Sequence, residues 1–166
     1  FRDGNPNDMM SLSSNVEFPN DIGSDNANKI MEAIQEWLNK IFPDDAVQLY
    51  VLNTLALKLS GRHFWERLHI FVGTGANGKS QLFKIIHEIF GEYYQQSDNT
   101  LLNTPKRDPN AASPAIAQLK SKRIVVMSEP KSNQPFESEK IKELVGGDPM
   151  TCRHLNKDPI QFVPMY

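Results

Sequence analysis

Ile30, Ile34, Trp37, Leu38 and Ile41 recur at helical spacing and form one apolar stripe. Ser24 or Asp25 can cap the helix that carries them, and Pro43 ends it. Asp44 or Asp45 caps a second helix bearing Leu49, Tyr50, Leu52, Leu55, Leu57 and Leu59, with Gly61 suited to its C-terminus. Core packing is the plain expectation for both. The pattern then changes. Leu68–Val72 is a short apolar run of the kind a buried strand shows. A glycine-rich loop follows, then a helix over Lys79–Phe90 with Leu82, Ile85, Ile86 and Ile89 on one face and Gly91 as its stop. A strand is expected near Tyr94–Ser97 and a loop over 99–110. Ala111–Lys120 reads as a short helix with Pro114 in its first turn. Arg123–Glu129 reads as a second buried strand, built on Ile124, Val125, Val126 and Met127. Glu137–Val145 is a helix stopped by Gly146 and Gly147, and Thr151–Leu155 with Ile160–Val163 reads as a hairpin.

Strands alternate with helices from residue 68 to 145, which argues for an α/β layer with a parallel sheet. Three regions result: an Asn-, Asp- and Ser-rich arm or linker over 1–23, a helical segment over 24–61, and an α/β core over 62–166. The chain begins at Phe1 rather than Met, so a piece of a longer product is expected.

Of 166 residues, 39% are hydrophobic and 23% charged, which suits a globular domain with its own core. A net charge of −2 excludes a protein that wraps nucleic acid over its whole surface, so any such contact must be local. The single cysteine, Cys152, cannot build a disulfide framework or a zinc site within one chain. A reducing intracellular compartment is expected: cytosol, nucleus or a viral factory.

The chemistry is concentrated in Gly73-Thr74-Gly75-Ala76-Asn77-Gly78-Lys79-Ser80, which fits G-x-x-x-x-G-K-[ST]. Glycines permit a tight loop whose backbone N–H groups turn onto phosphate oxygens. The next helix aims its positive end at the same anion. Lys79 reaches the β- and γ-phosphates, and the Ser80 hydroxyl serves Mg²⁺. A chance match in a glycine-rich turn is the alternative; the strand before it and the helix after it argue for nucleotide binding. Glu129, at the end of the second strand, is placed to stand near the metal and orient the attacking water, although Ser128 takes the position where a second acid would strengthen the signal. Arg153, His154 and Lys157 lie on or near the hairpin and could grip a nucleic-acid backbone or simply face solvent. His63, His69 and His87 share no metal-ligand spacing and read as structural. Lys120, Lys122 and Arg123 read as a solvated helix end.

The order of three elements is more specific than any one. They are Gly73–Ser80 with Asn77 ahead of Gly-Lys-Ser, Ile124–Pro130, and Ile141–Asp148 running on through Thr151-Cys152-Arg153 to Phe162-Val163-Pro164. This resembles a superfamily 3 helicase of the poxvirus-type primase-helicase group. Phe1–Gly4 and Asp8–Ser13 resemble the segment ahead of that module. The resemblance implies a P-loop NTPase of AAA+ type, with a three-layer core and a parallel sheet behind a small helical segment. It implies ATP and Mg²⁺ as cofactors, a homo-hexameric ring moving on single-stranded DNA, and a primase domain on the same polypeptide. Asn77–Ser80 would form the phosphate and metal site, Glu129 the second acid, and the Arg153–Lys157 hairpin would face the channel. The family's sensor strand and arginine finger would lie beyond Tyr166. The implied core is thus C-terminally truncated, its sheet should show a gap or an unusual pairing, and the chain alone should bind ATP weakly and not unwind DNA. A P-loop small-molecule kinase and a non-catalytic nucleotide-binding or assembly fragment are the competing readings.

Overall fold

A computed structural model describes residues 5, 7, 11–62, 65–75, 77–103, 112–128 and 135–166. The chain is mixed α/β, with six α-helices among these residues, α1 (Asp25–Ile41), α2 (Asp45–Leu59), α3 (Lys79–Phe90), α4 (Thr100–Asn103), α5 (Pro114–Ala117) and α6 (Ser138–Val145), and a 3-10 turn over Gly91–Tyr93. Four short strands accompany them: β1 (Tyr94–Ser97), β2 (Ile124–Met127), β3 (Met150–Arg153) and β4 (Pro159–Phe162). None of the described helices is long and apolar enough to cross a membrane.

β1 and β2 pair in parallel, Tyr94 opposite Ile124 and Ser97 opposite Met127. Side chains alternate across a strand, so β2 feeds two cores. Ile124 and Val126 join Leu82, Ile86 and Phe90 of α3 and Tyr94 on one face. Val125 and Met127 join Leu101, Leu119, Leu144, Met150, Cys152 and Phe162 on the other. β2 is half-buried rather than fully enclosed. The hairpin β3–β4 is antiparallel, Met150 opposite Phe162 and Arg153 opposite Pro159. Its inner side chains, Cys152 and Phe162, supply the second core.

The helix caps resolve as Ser24, which accepts from the Ala27 N–H at 3.1 Å, and Asp44, which accepts from Ala46 and Val47. The expectation of core packing for α1 and α2 largely fails. Leu38 is the buried side chain of α1, and that of α2 is Gln48. Gln35 donates to Gln48 at 2.7 Å and to Asn39 at 2.8 Å, and Gln48 donates to Asn39 at 3.0 Å. This amide network joins the two helices, so their apolar residues turn elsewhere: Ile30, Ile34, Leu49 and Leu52 are exposed. Trp37, Phe42 and Leu55 alone reach the α3 core from this region.

The expected strand over Leu68–Val72 is also corrected. The segment joins no ladder among the described residues, and Ile70 and Val72 are 68% and 88% exposed. A strand persists only where a neighbour satisfies its N–H and C=O groups. Only Phe71 turns inward, meeting Phe83 edge-on at 5.1 Å.

Two further readings change. Arg123 is not solvated: its guanidinium stacks over Tyr93 at 4.1 Å and donates to the Leu59 carbonyl at the end of α2. Lys122 donates to the Glu92 carbonyl at 2.6 Å. The segment read as an extended arm or linker is pinned at its inner end. Ser13 and Glu92 exchange hydrogen bonds at 2.7 and 3.0 Å, and the Tyr93 hydroxyl donates to the Leu12 carbonyl at 2.7 Å. Within the expected loop at 99–110, Thr100–Asn103 is helical, and 104–110 lies outside the described residues. The expected Ala111–Lys120 helix shrinks to α5 followed by a turn.

Candidate functional site

The Gly73–Ser80 loop stands at the N-terminus of α3. Gly75 and Gly78 hold φ at +95° and +83°, where side chains other than glycine's are strained. Gly78 is the residue from which α3 starts, and a Cβ there would meet Ile41 at 2.9 Å. The loop is therefore packed against the end of α1. A Cβ on Gly73 would fall 1.8 Å from Asn77 Nδ2, so the Asn77 side chain would have to move aside for any larger residue there. No side chain caps α3, which leaves the positive end of the helix to solvent or to a ligand.

The Lys79 ammonium bends back into the loop, donating to Asn77 Oδ1 at 3.0 Å and to the Gly73 carbonyl at 3.3 Å. Lys79 is half-buried, and Ser80 is exposed one residue on. Thr74 and Gly75 are exposed on the outer curve of the loop. A lysine held inside a glycine loop at an uncapped helix start is an arrangement suited to an anion.

α3 packs on β1, to which a 3-10 turn over Gly91–Tyr93 joins it. Gln96 at β1 and Ser128 just past β2 meet, Gln96 Nε2 to Ser128 Oγ at 3.5 Å. Ala76 and Glu129 lie outside the described residues.

The three basic residues of the hairpin are not alike. Arg153 is half-buried, its carbonyl accepting from the Ser113 N–H and its own N–H donating to Ser113 Oγ, and its Nε is buried without a hydrogen-bond partner among the described residues. His154 is half-buried, while Lys157 is exposed at the turn with Asn156 in the left-handed region. The hairpin belongs to the core on the far side of β2 from α3. The structure therefore sets these residues apart from the Gly73–Ser80 loop.

Sequence reasoning passed over one feature beside the loop. A groove of about 460 Å³ runs from Asn77 and Lys79 along Leu68–Val72 to the α1–α2 joint. Tyr50 and His69 line it, the Tyr50 hydroxyl 3.0 Å from His69 Nε2, and Arg67 donates to the same hydroxyl at 3.2 Å. Partial desolvation, then Lys58 and Arg67, lower the pKa of His69. Its spacing from other histidines carried no metal signal, and only the folded chain brings Tyr50 to it. Among the described residues no group of three or more His, Cys, Asp or Glu could hold a metal ion.

Residues 71–166, more than half of the chain, match the model of a family of unknown function, DUF5906. The chain belongs to the DUF5906 family. The matched stretch of this DUF5906 chain takes in the loop, α3, both strand pairs and the hairpin. Among curated proteins it is 35% identical over its whole length to "Putative helicase L207/L206" of Acanthamoeba polyphaga mimivirus. It is 26% identical, again over its whole length, to "Putative helicase 121R" of Invertebrate iridescent virus 3. Over 75% of its length it is 24% identical to "Putative primase C962R" of African swine fever virus (isolate Warthog/Namibia/Wart80/1980). The chain spans 17%, 18% and 13% of the lengths of these three proteins.

Proposed function

We propose that this chain is the nucleotide-binding portion of a superfamily 3, ATP-dependent DNA helicase that works in viral DNA replication. The reading is carried by one observation: Lys79, held inside the Gly73–Ser80 loop, heads an uncapped α3 that packs on β1 of a parallel strand pair. The names of the viral relatives agree with it. The parallel β1–β2 pair with apolar clusters on both faces is compatible with a P-loop core of AAA+ type.

The residues fit a triphosphate. The Asn77 amide and the Lys79 ammonium close over Gly73, and the first-turn amides of α3 take no side-chain cap. On binding, the Lys79 ammonium would exchange Asn77 Oδ1 and the Gly73 carbonyl for phosphate oxygens. Loop amides would hold the phosphates in line, while Ser80 and, from the strand after Met127, Glu129 would hold Mg²⁺ and orient water. Mg²⁺ suits such a site because it keeps several waters and binds mainly through phosphate and one or two protein oxygens. It would neutralise charge developing on the transferred phosphoryl group. In the longer protein, a homo-hexameric ring would pass single-stranded DNA by its hairpins, with Lys157 at the exposed tip and a primase domain on the same polypeptide.

The test is Mg²⁺-ATP binding by the 166-residue chain and by Lys79→Ala. Weak binding by the parent and at least a tenfold loss in the variant are expected, since charge-assisted phosphate contacts are each worth roughly 1.5–3 kcal/mol. Equal binding by the two would leave the loop without a nucleotide role.

A further inference from the structure

The loop explains where phosphates would lie but not where the rest of a nucleotide would go. We infer that the groove between the α1–α2 joint and Leu68–Val72 seats the base and ribose of a nucleoside triphosphate whose phosphates lie on the Gly73–Ser80 loop. The inference rests on the phosphate reading of that loop and names the other half of its ligand.

Continuity is the first argument. Asn77 and Lys79 line one end of the groove, and Phe42, Tyr50, Val51 and Phe71 line the remainder. A cation at one end and aromatic and aliphatic walls beyond it are the two chemistries a nucleotide presents in reverse. Size agrees: about 460 Å³ falls within the roughly 300–1,000 Å³ typical of small-molecule sites. Polar recognition is present and sparse. Arg67 donates to the Tyr50 hydroxyl, whose oxygen also lies 3.0 Å from His69 Nε2. The pair thus offers a fixed hydroxyl and an imidazole ring beside apolar walls that bases can stack on. The exposure of Leu68, Ile70 and Val72 along the groove gives these walls apolar surface to cover.

The experiment compares ATP with inorganic tripolyphosphate, both with Mg²⁺, on the 166-residue chain and three variants: Tyr50→Ala, His69→Ala and Lys79→Ala. Titrations extend to millimolar ligand, and sedimentation reports oligomeric state. Tyr50 is an exposed helix residue, so its alanine variant keeps the fold. The parent should prefer ATP to tripolyphosphate. Tyr50→Ala should lose ATP affinity on the order of tenfold, with His69→Ala losing less, and both should bind tripolyphosphate as the parent does. Lys79→Ala should weaken both ligands. Equal parental affinity for the two ligands, or Tyr50→Ala weakening both alike, would overturn the base seat while leaving the loop reading intact. Loss of self-association in Tyr50→Ala with ATP binding unchanged would assign the groove to a second copy of the chain and likewise overturn it. Lys79→Ala binding both ligands normally would remove the phosphate reading and the base seat together.

Discussion

Gly91→Ala tests how the arm is tied to the core. Gly91 follows α3 with φ +49° and ψ −122°, a conformation that costs an alanine roughly 1–3 kcal/mol. An added Cβ would also stand 2.2 Å from the Ser14 carbonyl oxygen and 2.8 Å from its Cα. Those are backbone atoms, so the arm itself must move. Movement there removes the paired Ser13–Glu92 bonds and the Tyr93–Leu12 bond, each worth about 0.5–1.5 kcal/mol at most in this partly exposed setting. The sum is a destabilisation of about 2.5–7.5 kcal/mol, a large share of a small domain's stability. Urea unfolding measures the total, and amide exchange at Ser13 and Glu92 reports the arm separately. Tyr93→Phe serves as a calibrating variant, losing one hydrogen bond and about 1 kcal/mol. Both amides should exchange faster in Gly91→Ala. A midpoint shift equivalent to less than about 0.5 kcal/mol, with exchange unchanged, would refute the reasoning.

Arg123→Lys should not rescue Arg123→Ala, because a lysine cannot both stack on Tyr93 and reach the Leu59 carbonyl; both variants should lower the thermal midpoint, read by circular dichroism. Leu119→Ala removes a side chain with 0% exposure from the core behind β2 and should cost about 2–5 kcal/mol in chemical denaturation. His69 should titrate by NMR below the usual histidine value of about 6.5, and Lys58→Met should move it upward. The sign for stability follows from that depression. The unfolded chain takes up the proton first, so stability falls as pH drops below about 6.5 and levels off beneath the folded value, a slope that His69→Asn should flatten.

Local patterning was legible where an element satisfies itself. The caps at Ser24 and Asp44, the amphipathic α3 and the stop at Gly91 depend on neighbours in sequence. The β3–β4 hairpin was legible for the same reason, because its partner strand is a few residues away. Of the candidate site, Gly73, Gly78 and Lys79 were recognisable because their spacing encodes the loop itself. The loop's internal lysine bonds and the groove beside it were not, since Tyr50 and His69 meet 19 residues apart through folding alone.

Tertiary structure decided what long-range partners decide. An apolar run such as Leu68–Val72 has the composition of a buried strand, yet pairing, not composition, makes a strand. The leucines of α2 have the composition of a core helix, yet an amide network fixes which face meets α1 and turns several of them outward. Arg123 carries a charge that sequence assigns to solvent, and only the folded chain supplies the ring and carbonyl that hold it. Sequence alone thus determined the longer helices, the hairpin and the glycine spacing of one loop, because short-range hydrogen bonds and side-chain spacing are written in neighbouring residues. Which apolar surfaces are covered, and which groove opens beside that loop, depends on contacts between distant segments that no local pattern encodes.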